Sequence, residues 1–180
     1  MFLDANEYRG GNDWYPPLYK KHDLLLSSCY RAKCVLMTQN GEILDTVYCE
    51  NNDKLKGPLL DMTFCVLNNA RVITHEVRNE GHYIVKREKT GKVTMTCDLF
   101  RIYPRRNGIV CTSLGIILIL DIADKIHFIN DTGTVVSNIV LKDLSILNAD
   151  RLFVDKHDRV WIKGRHEDQA RDGSVFITGF

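Results

Sequence analysis

The chain has 180 residues, 44% hydrophobic and 26% charged, a composition that supports a packed core and excludes wholesale disorder. Its 24 basic and 23 acidic residues leave a net charge of +1, so no global field draws it toward nucleic acid or anionic lipid. That length suits one domain, residues 1–180, folding without structural metal or disulfides.

Reading from the start, Asp4, Glu7 and Arg9 interrupt the first eleven residues where an export signal needs an apolar run, which predicts a cytoplasmic protein. Trp14, Tyr15, Tyr19 and Tyr30 follow, beside Lys20 and Lys21, and such aromatic groups serve equally as contact anchors or as a cover for the core. Six cysteines (29, 34, 49, 65, 97 and 111) lie mostly in apolar runs, without a CxxC pair or zinc-type His spacing. The expectation is buried, reduced thiols and neither metal nor cofactor.

Three later segments share one form: CVLMTQNGEIL at 34–44, IVKREKTGKVT at 84–94 and IHFINDTGTVV at 126–136. Each reads as strand, polar tip, glycine and strand, because a tight hairpin needs a residue that tolerates positive φ. Gly41, Gly91 and Gly133 are the expected bends. A second hairpin precedes each, with polar tips at His22-Asp23, Asn68-Asn69, Asn107-Gly108 and His157-Asp158. The most apolar run, 108–122, is too short and interrupted to cross a bilayer and reads as buried strand. No window sustains helical periodicity; 142–148 has room for one turn.

The result is an all-β chain of about four antiparallel repeat units, approximately 15–49, 57–99, 100–144 and 145–180, the last short of a strand. LFVDKHDRVWI at 152–162, with its turn and its valine-tryptophan strand, resembles the opening of a blade in NHL-type and related β-propellers. The resemblance implies a propeller-like array and brings no catalytic residue with it. A β-trefoil and another all-β barrel or sandwich remain open alternatives.

Three polar groupings are candidate sites: His75-Glu76 with His82; Asp155, His157 and Asp158; and His166-Glu167-Asp168. Imidazole beside carboxylate suits acid–base work, which makes His75, His82, His157, His166 and Glu167 the catalytic candidates of a small hydrolase or nuclease. Neighbours on a strand face opposite ways, however, which separates His75 from Glu76, and Asp in a turn bonds to its own backbone. The leading reading is therefore a protein-interaction module that presents loops on a rigid platform, with a protein partner and self-association through an unpaired strand. Trp14, Tyr15, Tyr19 and Trp161 are its expected contact residues, and a third reading, carbohydrate or small-ligand binding by a trefoil, uses an aromatic platform such as Trp14 or Trp161.

Overall fold

The computed structural model describes residues 23–28, 33–38, 43–48, 59–68, 71–88, 90–155, 157–167 and 174–178. Trp14, Tyr15, Tyr19 and Gly41 lie outside them. Within them the chain is all-β, fourteen strands and one 3-10 turn. β1 (Asp23–Ser28), β2 (Lys33–Thr38) and β3 (Ile43–Tyr48) form a three-stranded sheet in that order. β4 (Leu59–Asn68), β5 (Arg71–Arg78), β6 (Gly81–Glu88) and β7 (Val93–Asp98) form a four-stranded one.

The seven-stranded third sheet joins two meanders. One contains β8 (Pro104–Cys111), β9 (Ile117–Asp121), β10 (Lys125–Ile129) and β11 (Val135–Val140). The 3-10 turn Leu141–Leu144 leads into the other, β12 (Ile146–Val154), β13 (Val160–His166) and β14 (Ser174–Thr178). A single parallel pairing, Arg151 with Asn107, links β12 to β8; the remaining pairs are antiparallel. The first strands of successive meanders are neighbours, β1 beside β4, β4 beside β8 and β8 beside β12.

Apolar side chains explain the stacking. Ile73, Ile84, Met95 and Cys97 meet Ile109, Cys111, Ile117 and Ile119 in one buried cluster. Val110, Leu118, Leu120 and Ile126 meet Leu152, Val154, Val160 and Ile162 in a second. Strand β9 thus sends Ile117 and Ile119 one way and Leu118 and Leu120 the other, so all five of its residues are buried and its sequence shows no polar alternation.

Gly91 and Gly133 occupy the same place in two hairpins, with φ of 85° and 87°. Each donates its N–H to the residue three earlier, Glu88 at 2.9 Å or Asn130 at 3.1 Å, and the register slips just beyond. Thr112 with Gly115 and Asp155 with Asp158 close the same three-residue turn. The expected tip at Asn107-Gly108 is not a turn: both residues lie inside β8, and the chain reverses at 112–116. Gly108 is needed for a different reason, since a Cβ there would come within 2.7 Å of the Leu120 carbonyl.

Gly133 seats its turn against the neighbouring sheet, where a Cβ would meet the Thr96 carbonyl at 2.6 Å and Met95 Sδ at 3.0 Å. Gly133→Ala therefore combines left-handed strain with a backbone clash and should cost about 2–4 kcal/mol in urea unfolding. An unchanged midpoint would show that the turn does not pack as described.

Candidate functional site

Chain direction divides the loops between two ends of the stacked sheets. At one, Arg78 opposes Gly81, Pro104 opposes Asp121, Lys125 opposes Val140 and Ile146 opposes His166. This end therefore carries turn 79–80, loop 99–103, turn 122–124, the 3-10 connection and the exit from β13. It is called the connection end below. The opposite end carries the three-residue turns at 88–92, 112–116, 130–134 and 155–159.

Hydrogen bonds tie the loops of the connection end to one another. The Leu99 N–H donates to the His82 carbonyl at 2.8 Å, and Ile122 N–H to the Tyr103 carbonyl at 3.0 Å. Asp124 is a hub. Its carbonyl accepts from Leu141 N–H at 2.9 Å, its Oδ1 from Arg105 Nη2 at 2.8 Å, and its Oδ2 from Asn148 N–H at 3.3 Å. Ser145 in turn accepts from Glu167 N–H at 2.9 Å.

Of the five non-glycine residues described with positive φ, four sit here: Arg101, Asp124, Ser145 and Asn148. Such conformations cost energy and persist where surrounding contacts over-determine them. Five of nine exposed large apolar side chains among the described residues also lie here: Leu60, Phe100, Tyr103, Ile122 and Leu144.

Beneath this surface, the two faces of β5 carry different polar groups. His75 is buried, and its Nε2 lies 3.3 Å from His82 Nδ1 on β6, while the His82 ring meets Tyr103 edge-on at 5.7 Å. Glu76 points to the other face. It accepts from Thr74 Oγ1 at 2.9 Å, from Arg78 Nε and Nη2 at 3.0 and 2.7 Å, and from Arg87 Nη1. All four of these residues are buried. Each arginine helps compensate the carboxylate that burial would otherwise penalise, so the group reads as a structural core.

The other predicted residues are dispersed. His157 is exposed on the opposite end, with its N–H donating to Asp155 Oδ1 at 2.8 Å. His166 is half-buried at the exit of β13, and Glu167 is exposed beside it. Trp161 is buried, stacks on Phe153 at 5.3 Å and donates Nε1–H to Asp155 Oδ2 at 3.2 Å. The structure thus brings His75 and His82 together and leaves His157 and His166 apart from them.

A repeated device escaped the sequence reading. In DIADKIH at 121–127 and DKHDRVW at 155–161, the leading Asp accepts N–H bonds from the residues two and four later. Its second oxygen holds the ring six later, His127 at 2.9 Å or Trp161. Asn130 makes the same two backbone bonds. The shared D-x-x-D-[K/R]-[I/V]-[H/W] pattern was the available signal.

Two described cysteines, Cys97 and Cys111, are buried. Burial, with Asp98 alongside, pushes the Cys97 thiol up to about 11, which suits a packing role rather than a nucleophile. No group of three or more His, Cys, Asp or Glu among the described residues is placed to hold a metal ion. No described helix is long and apolar enough to cross a membrane.

No family model matches the chain, and no curated protein matches it. Among solved structures, it is similar to the extracellular domain of a hybrid two-component system from B. thetaiotaomicron. Identity is 15% and the TM-score 0.48, over 88% of this chain and 23% of that one, so this chain spans less than a quarter of that length. The cytoplasmic expectation is withdrawn: the similar structure is an extracellular domain, and a likeness at this TM-score assigns no compartment to this chain. The two observations behind that expectation do not fix a compartment: a polar N-terminal stretch carries no address of its own, and buried thiols such as Cys97 and Cys111 pack as small hydrophobes in either setting.

Asp155 supplies a pH test. Burial alone would raise its carboxyl, but N–H bonds from His157 and Arg159, with the Arg159 and Trp161 side chains, outweigh that and hold it at about 2 against an ordinary 3.8. A depressed folded value means that the stabilisation is present above about pH 4 and is lost as pH falls toward 2. Asp155→Asn should cost about 1–2 kcal/mol at neutral pH and flatten the stability profile between pH 4 and 2 in urea titrations. An unaltered profile would remove Asp155 from this role.

Proposed function

We propose that the chain is a protein-interaction module, its meanders arranged as propeller-like blades and its connection end docking a protein partner. The single observation that carries this reading is the coincidence of exposed apolar side chains with a hydrogen-bonded loop framework at that end. Leu60, Phe100, Tyr103, Ile122 and Leu144 stand on loops or strand starts, and bonds converging on Asp124 join the turn 122–124 to β8, the 3-10 connection and β12. Preorganised loops lose less entropy on binding than free ones, so contact energy is not spent on ordering them.

The blade-like arrangement is supported by the neighbouring first strands of successive meanders and by the apolar layers between them. A hydrolase or nuclease reading needs one of these histidines set against a carboxylate: His75 and His82 meet each other on one face of the second sheet while Glu76 is engaged by arginines on the other, and His157, His166 and Glu167 lie in the seven-stranded sheet or its turns. A sugar platform at Trp161 would need an open indole, and that ring is stacked and buried.

The reading is tested by comparing three forms of the full chain in crosslinked affinity capture: native, Ile122→Glu with Leu144→Glu, and Leu114→Glu on the opposite end. Proteins held by the native chain and by Leu114→Glu should drop at least tenfold with the double variant, whose fold is checked by urea unfolding. Equal capture by all three forms refutes a docking role for the connection end.

A further inference from the structure

Within that end, one turn departs from what local chemistry favours. Residues 99–102 form a β-turn closed by Ile102 N–H on the Leu99 carbonyl at 2.7 Å, with Arg101 in the third position at φ 63°. A turn with positive φ only at that position is of type II, where Gly or Asn is the usual occupant. Arginine there is strained, and no hydrogen bond fixes its guanidinium among the described contacts; it lies over the Phe100 ring, 5.0 Å from the centroid. Phe100 itself is 75% exposed.

The turn is nevertheless held from both sides. Leu99 is buried in the apolar layer with Ile102 packed against it, Leu99 N–H donates to His82, and Tyr103 accepts from Ile122. A strained turn in a rigid seat, presenting an aromatic ring under an arginine, matches the residue types that dominate binding energy at interfaces. Arg105 is already paired with Asp124, and the loop 99–103 carries one charge, the exposed Arg101, so the complementary group is a carboxylate.

We propose that the Phe100 and Arg101 turn is the anchor of the docking end, inserting the phenyl ring into an apolar pocket of a protein partner whose rim carries carboxylates that pair with Arg101. This rests on the interaction reading above. The partner is a protein and not single-stranded nucleic acid, because one ring and one guanidinium on a nearly neutral chain lack the aromatic series and basic groove that strand binding uses.

The test uses two defined probes, a displayed random-peptide library and a labelled oligo-dT strand. The native chain should enrich peptides that combine aspartate or glutamate with apolar residues, and a representative peptide should bind Phe100→Ser and Arg101→Glu at least tenfold more weakly. Arg101→Gly separates function from folding: relief of the positive φ should leave the melting temperature equal or higher, while peptide affinity falls. Both variants other than Arg101→Gly are read only if their melting temperatures stay near native.

Peptides lost with Ile122→Glu and Leu144→Glu but retained by the turn variants would overturn the anchor and leave the docking end standing. Peptides insensitive to every one of these changes would overturn both. Oligo-dT binding that disappears with Phe100→Ser would also overturn the proposal and make the turn a base-stacking site.

Discussion

Asp124 is the residue on which the connection end depends. A three-residue turn from Asp121 brings it to φ 55°, and from there its carbonyl and both carboxylate oxygens reach three other elements: β8 through Arg105, the 3-10 turn through Leu141, and β12 through Asn148. An aspartate suits the position twice over, since its short side chain tolerates the left-handed region and its two oxygens accept in different directions. Because those bonds join the two meanders of the seven-stranded sheet, the loops above them are positioned by the core rather than by their own preferences.

The core that does this positioning is unusual for antiparallel sheet in having both faces covered. β9 feeds two apolar layers with alternate residues, and the second sheet buries an apolar face with His75 on one side and the Glu76, Arg78 and Arg87 group on the other. Burial on both sides leaves the ends of the stack as the places where polar chemistry and exposed apolar groups can meet solvent. That division explains why the ionisable pairs within the sheets read as structure, while the exposed apolar groups on which the proposed docking rests stand on the loops.

Much of the fold was legible. Gly91 and Gly133 are bends because nothing with a Cβ adopts φ near 85° cheaply, and the run through Ile117 and Leu120 is buried strand because it lacks a polar alternate. The opposite orientation of His75 and Glu76 followed from the pleat alone. Asn107-Gly108 misled, since Asn-Gly is a strong turn signal and only the closeness of the Leu120 carbonyl reveals that this glycine lets β8 lie close against β9. Thr74, Glu76 and Arg78 could have been suspected from their spacing on one strand face; their partner Arg87 lies across the hairpin. The convergence on Asp124 could not, because Arg105, Leu141 and Asn148 are up to 24 residues away and only the stacked sheets bring them together. Trp14, Tyr15 and Tyr19 lie outside the described residues and take no part in the account.

Amide hydrogen exchange on the free, full-length chain reads the rigidity of this framework directly. The account predicts slow exchange at Leu141, Asn148, Ile122 and Glu167, with protection at Asn148, whose acceptor is the Asp124 carboxylate, lost in Asp124→Ala while Leu141, bonded to the backbone carbonyl, and Ile117 and Ile119 stay protected. Exchange at those four amides as fast as in an unstructured peptide, in the unmodified protein, would contradict a preformed docking end.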